Sequence, residues 1–172
     1  MTIQGAGRDL TIFDGSSGNS SCGFIAITAN VTLKNMTIQK YTTTSYSGTA
    51  RYSSAGINIG GVRGTSYTSS SALQVYITNV KLYDIASNSS GAYGGAITTV
   101  PNYSGTNHGI YIRQCIFMDN EAVGWGGAIS TADSVSMIIE NSFFTDNKAA
   151  GGGAIFFADY SSSGGSNLMY FY

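Results

Sequence analysis

The stretch Gly94-Gly95-Ala96-Ile97 occurs three times in this chain of 172 residues. It returns as Gly126-Gly127-Ala128-Ile129 and as Gly152-Gly153-Ala154-Ile155. A second motif precedes the last two copies, first as Phe117-Met118-Asp119-Asn120 and then as Phe144-Thr145-Asp146-Asn147. Motifs that recur at such spacings indicate a repeat protein, in which each unit buries its apolar face against its neighbours.

A third repeated unit alternates apolar and polar residues, as half-buried strands do. It spans 31–38 and recurs at 75–82, 110–117 and 137–144, and 168–172 resembles its beginning. The alternation slips by one residue at four positions, where we expect a bend between two short strands: Asn35, Asn79, Gln114 and Asn141. The side chains predicted to point inward are Val31, Leu33, Met36, Ile38, Val75, Ile77, Val80, Leu82, Ile110, Ile112, Cys115, Phe117, Met137, Ile139, Ser142 and Phe144.

The irregular spacing of the bends separates a solenoid from a propeller. Successive bends are 44, 35 and 27 residues apart, whereas propeller blades recur at nearly constant intervals. Stacked coils tolerate such variation because extra residues leave at corners, as at 63–72 and 100–108. We therefore predict an all-β chain, a right-handed parallel β-helix of about five or six coils, with 1–172 as one domain and a fragment of a longer solenoid.

The repeated glycines and amides are predicted to be structural. Glycine allows a tight turn with positive φ, and an amide recurring at one corner would stack into a ladder along the axis. These positions are Gly94, Gly95, Gly126, Gly127, Gly152, Gly153, Asn35, Asn79, Asn141, Asn120 and Asn147.

The FxxN motif coupled to GGAI resembles the repeat of the chlamydial polymorphic outer membrane proteins. The match is exact three times for GGAI and twice for FxxN, and it weakens to Leu82-Tyr83-Asp84-Ile85 and Ala55-Gly56-Ile57 in earlier coils. Related repeats occur in many secreted right-handed parallel β-helix proteins. The resemblance implies a surface-exposed passenger or adhesin.

The composition excludes several classes of protein. Charged residues make up 10% of the chain and the net charge is −1, which leaves too few basic groups to neutralise nucleic-acid phosphates. No apolar run approaches the roughly 18 residues of a membrane span. Cys22 and Cys115 make neither a zinc site nor a disulfide framework, and we interpret both as small buried side chains. The uncharged, hydroxyl-rich composition favours an extracellular or cell-surface location.

Aligning the coils predicts a column of Lys40, Asp84, Asp119 and Asp146. Carboxylates on neighbouring rungs repel one another, and a bound Ca²⁺ would relieve that repulsion with Asn120 and Asn147 as further ligands. The other interpretation, which we favour, is a solvated turn in which Asp and Asn bond to their own backbone.

His108, with Arg113 nearby, superficially resembles the sites of pectin-hydrolysing β-helix enzymes. Those enzymes also need clustered aspartates, and no Asp-Asp pair occurs here. We expect His108 to lie in a variable loop without a catalytic role.

Two outward columns form a candidate binding or assembly stripe. Tyr76, Tyr111, Ile138 and Met169 are predicted to share one outward column. The column beside it is Thr37, Lys81, Ile116 and Phe143. A flat aromatic row suits protein contacts or sugar stacking, unless a long loop such as 60–71 covers it.

The sequence favours a non-enzymatic, extracellular structural or adhesive β-solenoid. It would self-assemble through its ends or the stripe, and its partners would be other copies, further coils of a longer chain, or cell-surface glycans or proteins. The alternative is a pectate lyase-like or polygalacturonase-like enzyme that uses His108 and the Asp column. The eight basic residues are scattered along the sequence, which favours the first reading because an enzyme concentrates its charges in one cleft.

Overall fold

The computed structural model describes residues 1–16, 23–43, 54–61, 71–88, 92–100, 107–131, 134–158 and 168–172. Every regular element in these ranges is a strand, and every strand pair is parallel. Most of the predicted inserts at 63–72 and 100–108, and Cys22, lie outside the described residues.

The strands follow one another as five coils and the first strand of a sixth. Coil 1 contains β1 (Thr2–Gln4), β2 (Ile12–Asp14) and β3 (Ile25–Ile27), and coil 2 contains β4 (Val31–Gln39), β5 (Thr42–Thr43) and β6 (Ile57–Ile59). Coil 3 contains β7 (Gln74–Tyr83), β8 (Ala86–Ser87) and β9 (Ile97–Thr99). Coil 4 contains β10 (His108–Arg113), β11 (Ile116–Met118), β12 (Glu121–Trp125) and β13 (Ile129–Thr131). Coil 5 contains β14 (Val135–Glu140), β15 (Phe143–Thr145), β16 (Lys148–Gly151) and β17 (Ile155–Phe157), and β18 (Leu168–Phe171) begins coil 6.

Equivalent strands of successive coils stack into three sheets. The largest, which we call sheet A, runs β1-β4-β7-β10-β14-β18 and includes β2, β11 and β15. Sheet B runs β16-β12-β8-β5, and sheet C runs β17-β13-β9-β6-β3. This arrangement confirms the predicted parallel β-helix and its number of coils. The sequence does not predict the strands of sheet B, because two to five residues between two turns are too few to show an alternating pattern.

The stacking register brings the predicted inward residues together in columns. Leu33 pairs with Ile77, which pairs with Ile112 and then Ile139. These four side chains are at most 2% exposed and belong to one continuous apolar cluster. Phe117 and Phe144 stack in a neighbouring column with ring centroids 4.6 Å apart and planes within 2°. Because each inward side chain packs on its equivalents above and below, the core is as long as the stack.

The predicted bend within sheet A is a single residue in the left-handed region. Asn35, Asn79, Gln114 and Asn141 have φ between 47° and 58°. Asn is among the few residues that tolerate this conformation well. One left-handed residue turns the chain and reverses the alternation, so the apolar side chains on both sides of the bend point inward.

Candidate functional site

The Asn of the FxxN motif joins each coil to the coil before it. The side-chain oxygen of Asn120 accepts from the Ile85 N–H at 3.2 Å, and its Nδ2 donates to the Leu82 carbonyl at 3.1 Å. Asn147 repeats this one rung later, accepting from the Asn120 N–H at 3.1 Å and donating to the Phe117 carbonyl at 3.0 Å. The two amides also bond to each other at 2.9 Å. The motif therefore satisfies the buried backbone where sheet A ends. This corrects the expectation of a solvated turn for Asn120, which is fully buried and bonds to the backbone of the preceding coil, not to its own.

A second amide contact lies at the bend of sheet A. The Nδ2 of Asn79 donates to the Oδ1 of Asn35 at 3.0 Å. The predicted ladder is thus present for this pair of rungs, and a second ladder forms between Asn120 and Asn147.

The Asp column lies at a corner where the chain leaves sheet A. Lys40, Asp84, Asp119 and Asp146 are all exposed, and their φ angles lie between 53° and 59°. Asp, like Asn, is enriched in the left-handed region. The backbone conformation therefore explains why Asp recurs at this corner, and no bound ligand is needed to explain it. Among the described residues, no group of three Asp, Glu, His or Cys side chains is placed to hold a metal ion.

The two glycines of each GGAI copy serve different purposes. Gly94, Gly126 and Gly152 have φ between 61° and 74°. Gly95 and Gly127 have ordinary φ, but a Cβ there would collide with the carbonyl oxygens of Gly127 and Gly153 in the next coil. The first glycine makes the turn, and the second lets neighbouring coils approach closely.

His108 lies in the core and not in a loop, which corrects the expectation from sequence. It begins β10 and is fully buried between Leu73 and Val135 of the neighbouring coils. Its Nδ1 accepts from the Leu73 N–H at 3.1 Å, and burial lowers the pKa of its imidazole. Arg113 points outward and pairs with Glu140 at 3.6 Å, so the wall of the solenoid separates the two side chains.

Cys115 is buried in the apolar core as a free thiol. Burial raises the pKa of the thiol to about 11. This agrees with its interpretation as a small apolar side chain.

The outer face of sheet A presents the predicted aromatic stripe, with one correction. Tyr76, Tyr111 and Ile138 stack in register, but the next residue in the column is Tyr170. Met169 pairs with Met137 and packs against the core. The predicted register of this strand was wrong by one residue. Every position from Leu168 to Tyr172 is apolar or aromatic, so no alternation of apolar and polar residues sets the register.

The tyrosine rings of the stripe stack on each other. The Tyr76 and Tyr111 rings are 4.7 Å apart and 9° from parallel. Tyr76 is 42% exposed and Tyr170 is 48% exposed. Because the stacked ring faces meet each other, the pair offers its edges and hydroxyl groups to a partner.

The second outward column is partly covered. Thr37, Lys81, Ile116 and Phe143 pair in register, as predicted. Phe143 is 58% exposed, whereas Thr37 is 4% exposed and its hydroxyl donates to the Arg8 carbonyl at 2.7 Å. Residues 6–10, between β1 and β2, therefore cover this end of the column. The loop 60–71, suggested from sequence as the cover, lies mostly outside the described residues.

The repeat seen in the sequence has a match among known families. Residues 114–132 and 141–158 match the model of the Chlamydia polymorphic membrane protein (Chlamydia_PMP) repeat. The chain carries this repeat twice. The two matches cover coils 4 and 5 from the bend of sheet A through sheet C, including FxxN and GGAI, so they contain the residues that hold the coils together. No curated protein and no solved structure matches the chain.

The described ranges contain no helix with the length and apolarity needed to cross a bilayer.

Proposed function

We propose that this chain is a non-enzymatic, surface-exposed β-solenoid that adheres through the outer face of sheet A. The polymorphic membrane protein repeat supports a cell-surface or extracellular location. The observation that carries the adhesive role is the exposed aromatic column, in which Tyr76 and Tyr111 stack and Tyr170 continues the row. Exposed apolar and aromatic patches of this kind commonly mark interaction sites.

The roles of the repeat residues support a non-enzymatic function. Asn120 and Asn147 bond to buried backbone, while Asp119 and Asp146 occupy left-handed corners. The alternative pectate lyase-like function would require His108 to contact substrate, but its side chain is fully buried. Each conspicuous polar residue of the repeat therefore has a structural explanation, which leaves the outer face as the candidate for recognition.

The adhesive role is tested by measuring how fluorescently labelled protein binds to intact cultured cells. Tyr76→Ser combined with Tyr111→Ser should abolish most of the binding while circular dichroism stays unchanged. Asp119→Asn combined with Asp146→Asn is the matched control and should bind like the parent. Equal binding by the tyrosine variant, or loss only in the aspartate variant, would overturn the proposal.

Self-association is a second candidate function, and the last rung favours it. Phe144, Phe157 and Met169 point toward the core but are only half-buried, and among the described residues only β18 stacks on coil 5. Another rung, from the same polypeptide or a second copy, would cover these side chains and pair the open edge of β18. Sedimentation velocity should show concentration-dependent association that Phe171→Lys weakens. A monomer over the whole concentration range would contradict this second function.

A further inference from the structure

The outer face of sheet A concentrates basic side chains that are dispersed in the sequence. In coils 2 to 4 its outward positions alternate with the buried ones, and they include three basic residues, three tyrosines and no carboxylate. The basic residues are Lys34, Lys81 and Arg113. Neighbouring rungs are about 4.8 Å apart, so the Cα atoms of Lys34 and Arg113, two rungs apart, are separated by about 10 Å.

A fourth basic group reaches this surface from coil 1. Arg8 lies in the segment between β1 and β2, and its guanidinium donates to the Gln114 carbonyl at 3.3 Å. Gln114 follows Arg113 directly, so the Arg8 side chain reaches the bend of coil 4 next to the end of the strand that carries Arg113. We call Arg8, Lys34, Lys81 and Arg113 the basic face.

The basic groups are available to an anion. Lys81 Nζ lies 4.6 Å above the centre of the Tyr83 ring, which positions the ammonium group without neutralising it. Arg113 pairs with Glu140, but the two side chains are 60% and 39% exposed, and an exposed pair of this kind is worth only about 0–1 kcal/mol. In coil 1, Asp14 already accepts from the Ser16 N–H at 2.8 Å and the Gln39 amide at 2.6 Å.

We propose that the basic face binds an anionic polysaccharide, with sulfate or carboxylate groups on the four basic side chains. This inference rests on the proposed adhesive function and names the class of partner. The neighbouring hydroxyl groups of Thr32, Thr78, Tyr76 and Tyr111 suit a sugar chain, which presents both donors and acceptors. Four basic groups are fewer than the roughly 6–10 phosphate contacts of a typical DNA-binding protein.

The test measures binding to heparin and to polygalacturonate by biolayer interferometry, with dextran as the uncharged comparison. Lys81→Gln and Arg113→Gln should each weaken binding about two- to five-fold, as expected for exposed ionic contacts. Glu140→Gln removes the competing carboxylate and should strengthen binding. Lys148→Gln makes the same charge change on sheet B and serves as the matched control, with unchanged affinity expected. Binding should also weaken as salt concentration rises.

The inference would be overturned if the protein bound neither polysaccharide. It would also be overturned if Lys148→Gln weakened binding as much as Lys81→Gln and Arg113→Gln do, or if duplex DNA bound with the same affinity through the same residues. The cell-binding assay with the Tyr76 and Tyr111 variants is read separately. Loss of polysaccharide binding with retained tyrosine-dependent adhesion would refute this inference alone.

Discussion

Replacing the buried amide of Asn120 tests whether the FxxN motif holds the coils together. In Asn120→Ala the Ile85 N–H loses its side-chain acceptor in a fully buried environment. A buried unsatisfied group costs about 1–3 kcal/mol, and each of the two lost bonds, to Leu82 and Asn147, contributes about 1 kcal/mol. Asn147 keeps the bond from the Asn120 backbone N–H, so the three contributions give an expected total loss of about 3–5 kcal/mol.

The assay is thermal unfolding followed by circular dichroism. For a domain of this size, about 3–5 kcal/mol corresponds to a fall in Tm of about 6–20 °C. Asp119→Asn is the matched control because it changes the adjacent exposed residue and keeps a side chain that tolerates the left-handed conformation. Its Tm should stay within about 2 °C of the parent. A Tm for Asn120→Ala that equals the control would refute the structural reading of FxxN.

Three other perturbations have defined outcomes. Burial holds the pKa of His108 below its ordinary value of 6.5. As the pH falls, this histidine is therefore protonated in the unfolded chain before it is protonated in the folded protein. The free energy of unfolding consequently has its full value above pH 6.5 and decreases as the pH drops below it. His108→Gln should flatten the Tm profile between pH 7 and 5, and parallel profiles would contradict this. Gly127→Ala should lower Tm clearly, because the new Cβ would collide with the Gly153 carbonyl oxygen. Gly153→Ala should have little effect, because the nearest atom to its new Cβ is the backbone oxygen of Asn147 at 3.3 Å. Equal effects would refute the close-approach argument. In a Cys22→Ser background, Cys115 should react with iodoacetamide at pH 8 more than about ten-fold faster after unfolding, because burial raises its pKa to about 11. Rapid reaction of the native protein would be inconsistent with this burial.

The sequence predicted the features that depend on local pattern. Alternating residues identified the inward columns, and the slip at Asn35 and Asn79 identified the bend, because both follow from side-chain direction along a strand. The turn at the first glycine of GGAI was also predictable, although the close approach at Gly127 and the buried bonds of Asn120 to the preceding coil were not. Those requirements come from the neighbouring coil and leave no local trace.

The remaining features depend on contacts between distant coils. Arg8 contacts the bend beside Arg113 only because its side chain extends from the coil 1 segment, beside Thr37 of coil 2, to coil 4. His108 was assigned to a loop because a polar residue beside variable sequence resembles a loop residue, whereas its backbone partner Leu73 lies 35 positions away. The register of Met169 and Tyr170 required the pairing with Met137 and Ile138, which an unbroken apolar run does not reveal.

Cross-linking the tyrosine column tests most directly the claim that stacked coils create the outer face. Tyr76 and Tyr111 are paired on adjacent rungs, and the spacing of about 4.8 Å lies within the Cα range of about 4.4–6.8 Å that a disulfide spans. In a Cys22→Ser background, Tyr76→Cys with Tyr111→Cys should form an intramolecular disulfide under mild oxidation, detected by mass spectrometry. Tyr76→Cys with Ile138→Cys, two rungs apart, should not. Absence of the first cross-link, or equal formation of both, would contradict the stacking register and the aromatic column built on it.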